Sequence, residues 1–108
     1  DLGCYIGITG WITDPARGQT LRRVISDIPL NKMLIETDAP FLAPKRSALE
    51  QKHFALPVSF RSSRNEPSFL PLISSFLASE LRLETKELLE QTTQNAIDFF
   101  GFTKIEAN

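Results

Sequence analysis

The short run Met33–Ile35, with sequence MLI, constrains the fold more than any other stretch of the chain. It is continuously apolar, too brief for a helix, and followed at once by Glu36, Asp38 and Pro40. That pattern is expected of a parallel strand covered on both faces. Upstream, Leu21, Val24, Ile25 and Ile28 recur at the spacing of one helical face, with Asp14 and Pro15 as an N-cap and first-turn pair and Pro29 as the stop. Before them, CYIGIT combines β-branched and aromatic residues between Gly3 and Gly10 and reads as a strand weakened by Gly7. The order is a strand over 4–9, a helix over 15–28 and a strand over 33–37. A right-handed crossover then leaves both strands ending on the same edge of a parallel sheet, with Thr9–Trp11 beside Thr37–Asp38.

Periodicity lapses across 39–67, where Pro40, Pro44, Pro57 and Pro67 and several serines interrupt the chain. This reads as a long loop, and loops of that length inside a domain are more often functional than idle. Leu70, Ile73, Phe76, Leu77 and Leu81 predict a helix over 69–81 with Ser68 as its N-cap. A last helix over 86–100 follows a Thr85 cap, carries Leu88, Leu89, Ala96, Phe99 and Phe100, and stops at Gly101. The closing FTKIEAN is expected to fray.

A chain of 108 residues holds one modest core. It contains no apolar run near the ~20 residues of a membrane span and no basic stretch with an apolar signal region, so a soluble, cytoplasmic protein is expected. Cys4, the single cysteine, suits a reducing compartment and is expected in the core of the first strand. The sequence opens without methionine and enters a strand within a few residues, which suggests the back part of a longer protein. The net charge of -1 excludes a uniformly basic surface, yet Lys45, Arg46, Lys52, Arg61 and Arg64 face only Glu50 in the segment from 45 to 65. Positive charge is gathered there.

Glu36 and Asp38 should point to one side of the strand. In parallel α/β folds chemistry collects at the carboxyl ends of strands, so Asp38 is a candidate metal ligand or general base; Asp before Ala-Pro is equally good turn chemistry. His53, the lone histidine, has no partner nearby in sequence and reads as a solvated loop residue. There is no glycine-rich phosphate loop.

Four segments, YIGITGW at 5–11, IPLNKMLIETDAPFLAP at 28–44, SRNEP at 63–67 and TTQNAIDFFGF at 92–102, together resemble the C-terminal part of the TatD family of metal-dependent deoxyribonucleases. The resemblance implies an α/β fold, the C-terminal portion of a TIM (β/α)8 barrel of the amidohydrolase-like type, with 4–9 and 33–37 as its seventh and eighth strands. It implies a divalent cofactor (Mg²⁺, Mn²⁺ or Zn²⁺), DNA as partner and substrate, and hydrolysis of phosphodiester bonds. Asp38 matches the aspartate closing the last strand, which contacts metal and orients or deprotonates the attacking water. Arg61 and Arg64 would hold phosphates, with a solvated loop or a salt bridge to Glu66 as the plainer reading. Glu36 would anchor the strand end by hydrogen bonds. The family's early His-x-His pair, bridging glutamate and two further histidines have no counterpart, so a preceding part of the barrel is expected to supply them and the chain alone to be inactive. Two other readings are a non-catalytic interaction module and a metallohydrolase of the same barrel class with another substrate.

Overall fold

The computed structural model describes residues 2–102. Of the tail expected to fray, 102–108, residues 103–108 lie outside them, while the Phe102 N–H donates to the Ile97 carbonyl at 3.1 Å. Two parallel strands, β1 (Ile6–Ile8) and β2 (Met33–Ile35), pair in the register Ile6 to Met33, Gly7 to Leu34 and Ile8 to Ile35. The pairing runs one step past β2, where the Glu36 N–H donates to the Ile8 carbonyl at 2.9 Å. Gly7 has a positive role here: a Cβ at that position would lie 2.6 Å from Glu36 Oε1, so the glycine makes room for the carboxylate side chain. Glu36 therefore ties the strand end through its backbone while its side chain lies over β1.

The crossover helix is shorter than 15–28. Asp14 caps a turn instead, its Oδ1 accepting from the Ala16 and Arg17 N–H groups at 3.1 and 2.7 Å, and α1 spans only Gln19–Val24 before a 3-10 turn at Ile25–Asp27. Three guanidinium bonds from Arg22, to the carbonyls of Ile12, Asp14 and Pro15, hold the turn against the helix. Of the predicted apolar face, Ile25 is buried and Leu21 and Ile28 pack beside it, but Val24 is exposed. Cys4 is also exposed, ahead of β1 rather than in the core.

The segment 39–67 is not featureless. It contains helix α2 (Arg46–Gln51) and places two large side chains in the core, Leu49 and Phe60, both fully buried. Phe60 meets Phe69 with ring centroids 5.0 Å apart. The segment is therefore packed structure joined by turns.

Helix α3 (Leu70–Leu81) follows a 3-10 turn at Pro67–Phe69, and Ser68, inside that turn, donates its hydroxyl to Glu66 rather than capping a helix. Helix α4 (Thr85–Phe100) ends at Gly101, whose φ of 71° is the left-handed conformation of a glycine C-cap. Its Leu88 is buried, but Phe99 and Phe100 are exposed. Asn95, also buried, donates to the carbonyls of Leu30 and Met33 at 2.9 and 2.8 Å and so fastens α4 to the entry of β2. The core forms between the strands, α3 and α4, with Leu49 and Phe60 added from the connecting segment. Among the described residues no helix is long and apolar enough to cross a membrane.

Candidate active site at the strand exits

Three residues beyond the end of β2 the chain reverses. Asp38 has φ 59°, a left-handed conformation that aspartate tolerates better than most side chains, and its carbonyl accepts from the Phe41 N–H at 2.9 Å across a cis Ala39–Pro40 peptide. The side-chain contact that shapes this turn comes from Thr37, whose Oγ1 accepts from the Ala39 N–H at 3.2 Å. Asp38 is exposed, and among the described residues its carboxylate has no hydrogen bond or ion pair. The turn is formed without its side chain, which leaves both oxygens open to an external proton or cation.

Asn65 fixes the turn from below. Its Nδ2 donates to the Thr37 carbonyl at 2.8 Å, the Thr37 hydroxyl at 3.2 Å and the Phe41 carbonyl at 2.9 Å, and its backbone N–H donates to the Pro40 carbonyl at 3.0 Å. At 2% exposed, it is a buried polar group whose amide N–H groups are satisfied by Thr37 and Phe41 on either side of Asp38, while its Oδ1 accepts from the Glu66 N–H at 2.9 Å. The motif SRNEP drew attention to Arg64; the residue that organises the site is its neighbour.

The arginines behave differently from each other. Arg61 turns back on its own loop, its Nη1 donating to the carbonyls of Val58 and Phe60 at 3.2 and 2.8 Å. Arg64 is exposed and lines an open groove with Ala39, Pro40 and Asn65; among the described residues it has no ion pair, and Glu66 bonds to Ser68 instead. The gathered positive charge is partly neutralised. Arg46 pairs with Glu50 at 3.5 Å and Lys52 with Glu80 at 3.2 Å, which leaves Lys45, Arg61 and Arg64 as the cations of this segment without an ion pair among the described residues. His53 is exposed at φ 61° and far in sequence from the turn.

The exit of β1 meets the segment just after the Asp38 turn. Gly10 packs directly against the Leu42 carbonyl, leaving no space for a Cβ, and the Thr13 hydroxyl accepts from the Lys45 N–H at 2.8 Å. Between these segments lies a cleft of about 340 Å³ whose lining includes Trp11, Asp14, Arg17, Phe41 and Lys45. The Asp14 carboxyl is held below its ordinary value, first by the Arg17 N–H bond, with the Ala16 N–H and the Arg17 guanidinium adding to it against a smaller opposing effect of burial. Arg17 is thereby committed to Asp14 at 3.2 Å while its guanidinium lies 4.7 Å over the Trp11 ring.

These residues do not by themselves make a metal centre. Among the described residues no three histidine, cysteine or carboxylate side chains gather where one ion could bind them. Among the described residues Glu36 lies over Gly7, Asp14 caps its turn, and Asp38 offers a free hard-oxygen donor at the β2 exit. A divalent ion needs several such donors.

The two parallel strands leave the sheet on one carboxyl edge, the arrangement of an α/β fold, and comparison with known proteins narrows the class. Residues 1–101 match the family model described as TatD related DNase, and the chain belongs to that family. It is 43% identical over 101 residues to the 3'-5' ssDNA/RNA exonuclease TatD of Klebsiella pneumoniae, covering 94% of this chain and 35% of the relative. The protein of the same name from Edwardsiella piscicida is 44% identical, over 87% of this chain and 32% of the relative. Among solved structures, a TatD homologue from Escherichia coli K12 superposes with a TM-score of 0.72 at 27% identity, covering 94% of this chain and 34% of that one. A TatD family hydrolase from Entamoeba histolytica gives a TM-score of 0.69 at 23% identity, over 87% of this chain and 34% of that one. The fold is thus an α/β part of a TIM barrel, and the chain spans about a third of the length of the relatives it matches.

Proposed function

We propose that this chain forms the C-terminal portion, residues 1–108, of a single metal-dependent nuclease barrel that hydrolyses phosphodiester bonds of DNA, with Asp38 as a catalytic carboxylate. The observation that carries the reading is the free Asp38 carboxylate at the β2 exit, on a turn held from both sides by Asn65. A carboxylate so placed accepts the proton of a water attacking phosphorus. Asp38 also supplies one hard oxygen donor of the kind Mg²⁺ or Mn²⁺ prefers, and Zn²⁺ accepts it as well. The remaining donors come from the preceding part of the barrel. The names of the relatives, single-strand DNA and RNA exonucleases, support a nucleic-acid substrate.

Arg64 is the stronger phosphate-binding candidate, because its guanidinium is unpaired among the described residues beside the Asp38 turn. Arg61 contributes once its carbonyl bonds exchange for phosphate oxygens. The exposed, free Cys4 suits a cytoplasmic setting. The test is cleavage of an end-labelled DNA oligonucleotide by the complete polypeptide. Cleavage is expected with Mg²⁺ or Mn²⁺ and lost with chelator. Failure with every divalent ion tried overturns the reading.

A further inference from the structure

The cleft between the two strand exits is lined by residues other than Asp38, and its composition is specific. We propose that it is a nucleobase subsite in which Phe41 stacks against one unpaired base of a single-stranded nucleic acid; the inference rests on the nuclease reading above.

Phe41 carries the argument. It follows Asp38 by three positions, lines the cleft, and is 67% exposed. A ring at the wall of a cleft beside a strand exit presents a face on which a base can stack. The support here is rigid: the Phe41 N–H donates to the Asp38 carbonyl at 2.9 Å, and its carbonyl accepts from buried Asn65, also at 2.9 Å. A stacking face pre-set in this way loses little freedom on binding.

The surroundings match a nucleotide better than a purely apolar ligand. Trp11 lines the same cleft, its indole N–H donating to the Arg17 carbonyl at 3.1 Å and its face covered by the Arg17 guanidinium. Arg17 and Asp14 neutralise one another, so among the described residues Lys45 is the cation in the lining without an ion pair, beside the hydroxyls of Ser62 and Ser63. One ring face, one free cation and a pair of hydroxyls suit one base with its attached phosphate. About 340 Å³ is at the small end of ligand pockets.

The experiment measures binding to the complete polypeptide in chelator, where cleavage is absent, using a fluorescent thymidine oligonucleotide and its abasic counterpart. The wild type should prefer the base-bearing strand. Phe41→Ala should weaken that strand by about tenfold, the scale of one base-aromatic stack, and leave the abasic strand unchanged, while Phe41→Trp should keep the preference. Equal binding of the two strands by the wild type, no effect of Phe41→Ala, or a parallel loss for both strands each overturns the subsite. Metal-dependent cleavage is scored separately: cleavage without base preference removes the subsite alone, and base preference without cleavage removes the nuclease reading alone.

Discussion

The Asn65 side-chain amide lies 2.8 Å from the Thr37 carbonyl oxygen, joining positions 28 residues apart in sequence. The same nitrogen reaches the Phe41 carbonyl, so the bonds bracket Asp38 on both sides. Asn95 does the corresponding work at the entry of β2. Two buried asparagines thus hold a strand of three residues whose own ladder is short.

Asn65→Asp keeps the shape and removes the N–H donors. Leaving the Thr37 and Phe41 carbonyls without their partner should cost about 1–3 kcal/mol, read from chemical denaturation. An unchanged midpoint would contradict the role assigned to the amide.

Gly10→Ala brings a Cβ onto the Leu42 carbonyl, a backbone atom that cannot rotate away. The substitution should lower stability by about 1–3 kcal/mol through overpacking and shift the wall of the cleft. Thermal unfolding checks the first effect, and chemical shifts of residues 42–45 check the second.

Phe60→Ala tests whether the segment after Asp38 is part of the core. With Phe60 fully buried against Phe69, the loss should be about 3–5 kcal/mol by equilibrium denaturation. A dispensable loop would lose almost nothing.

Acid should release the Asp14 turn. Its carboxyl titrates lower in the folded chain than the ordinary value of 3.8, so the unfolded chain takes up the proton first as pH falls. The stabilisation is complete above 3.8 and disappears as pH drops through the folded value. Wild type and Asp14→Asn should therefore differ by a constant amount above that pH and converge below it, as read from denaturation midpoints across the acid range.

The main framework was legible because it rests on local patterns. An apolar run of three residues ending at carboxylates marked β2, and Gly101 marked the end of α4 through its left-handed conformation. Helix α2 was hidden because two turns with only Ala48 and Leu49 apolar show no period. The length of α1 was overestimated because Asp14 pairs with Arg17 and caps a turn, a use of the same Asp-Pro signal that the apolar spacing does not reveal. At the candidate site, the proposal of Asp38 follows from its place at a strand end. Asn65 could not be found that way, since the carbonyls it satisfies belong to a turn formed by distant residues. The charge of the connecting segment was counted correctly, but pairing of Lys52 with α3 depends on packing that sequence does not display.

The most direct measurement is the single-turnover rate of DNA cleavage by the complete polypeptide carrying Asp38→Asn. Asparagine tolerates the φ of 59° and keeps the volume of the side chain, so the turn survives while the carboxylate is lost. A fall of about 100-fold or more, with an unchanged denaturation midpoint, is the expected result. A rate within a few-fold of wild type would contradict the placement of the catalytic carboxylate at the β2 exit.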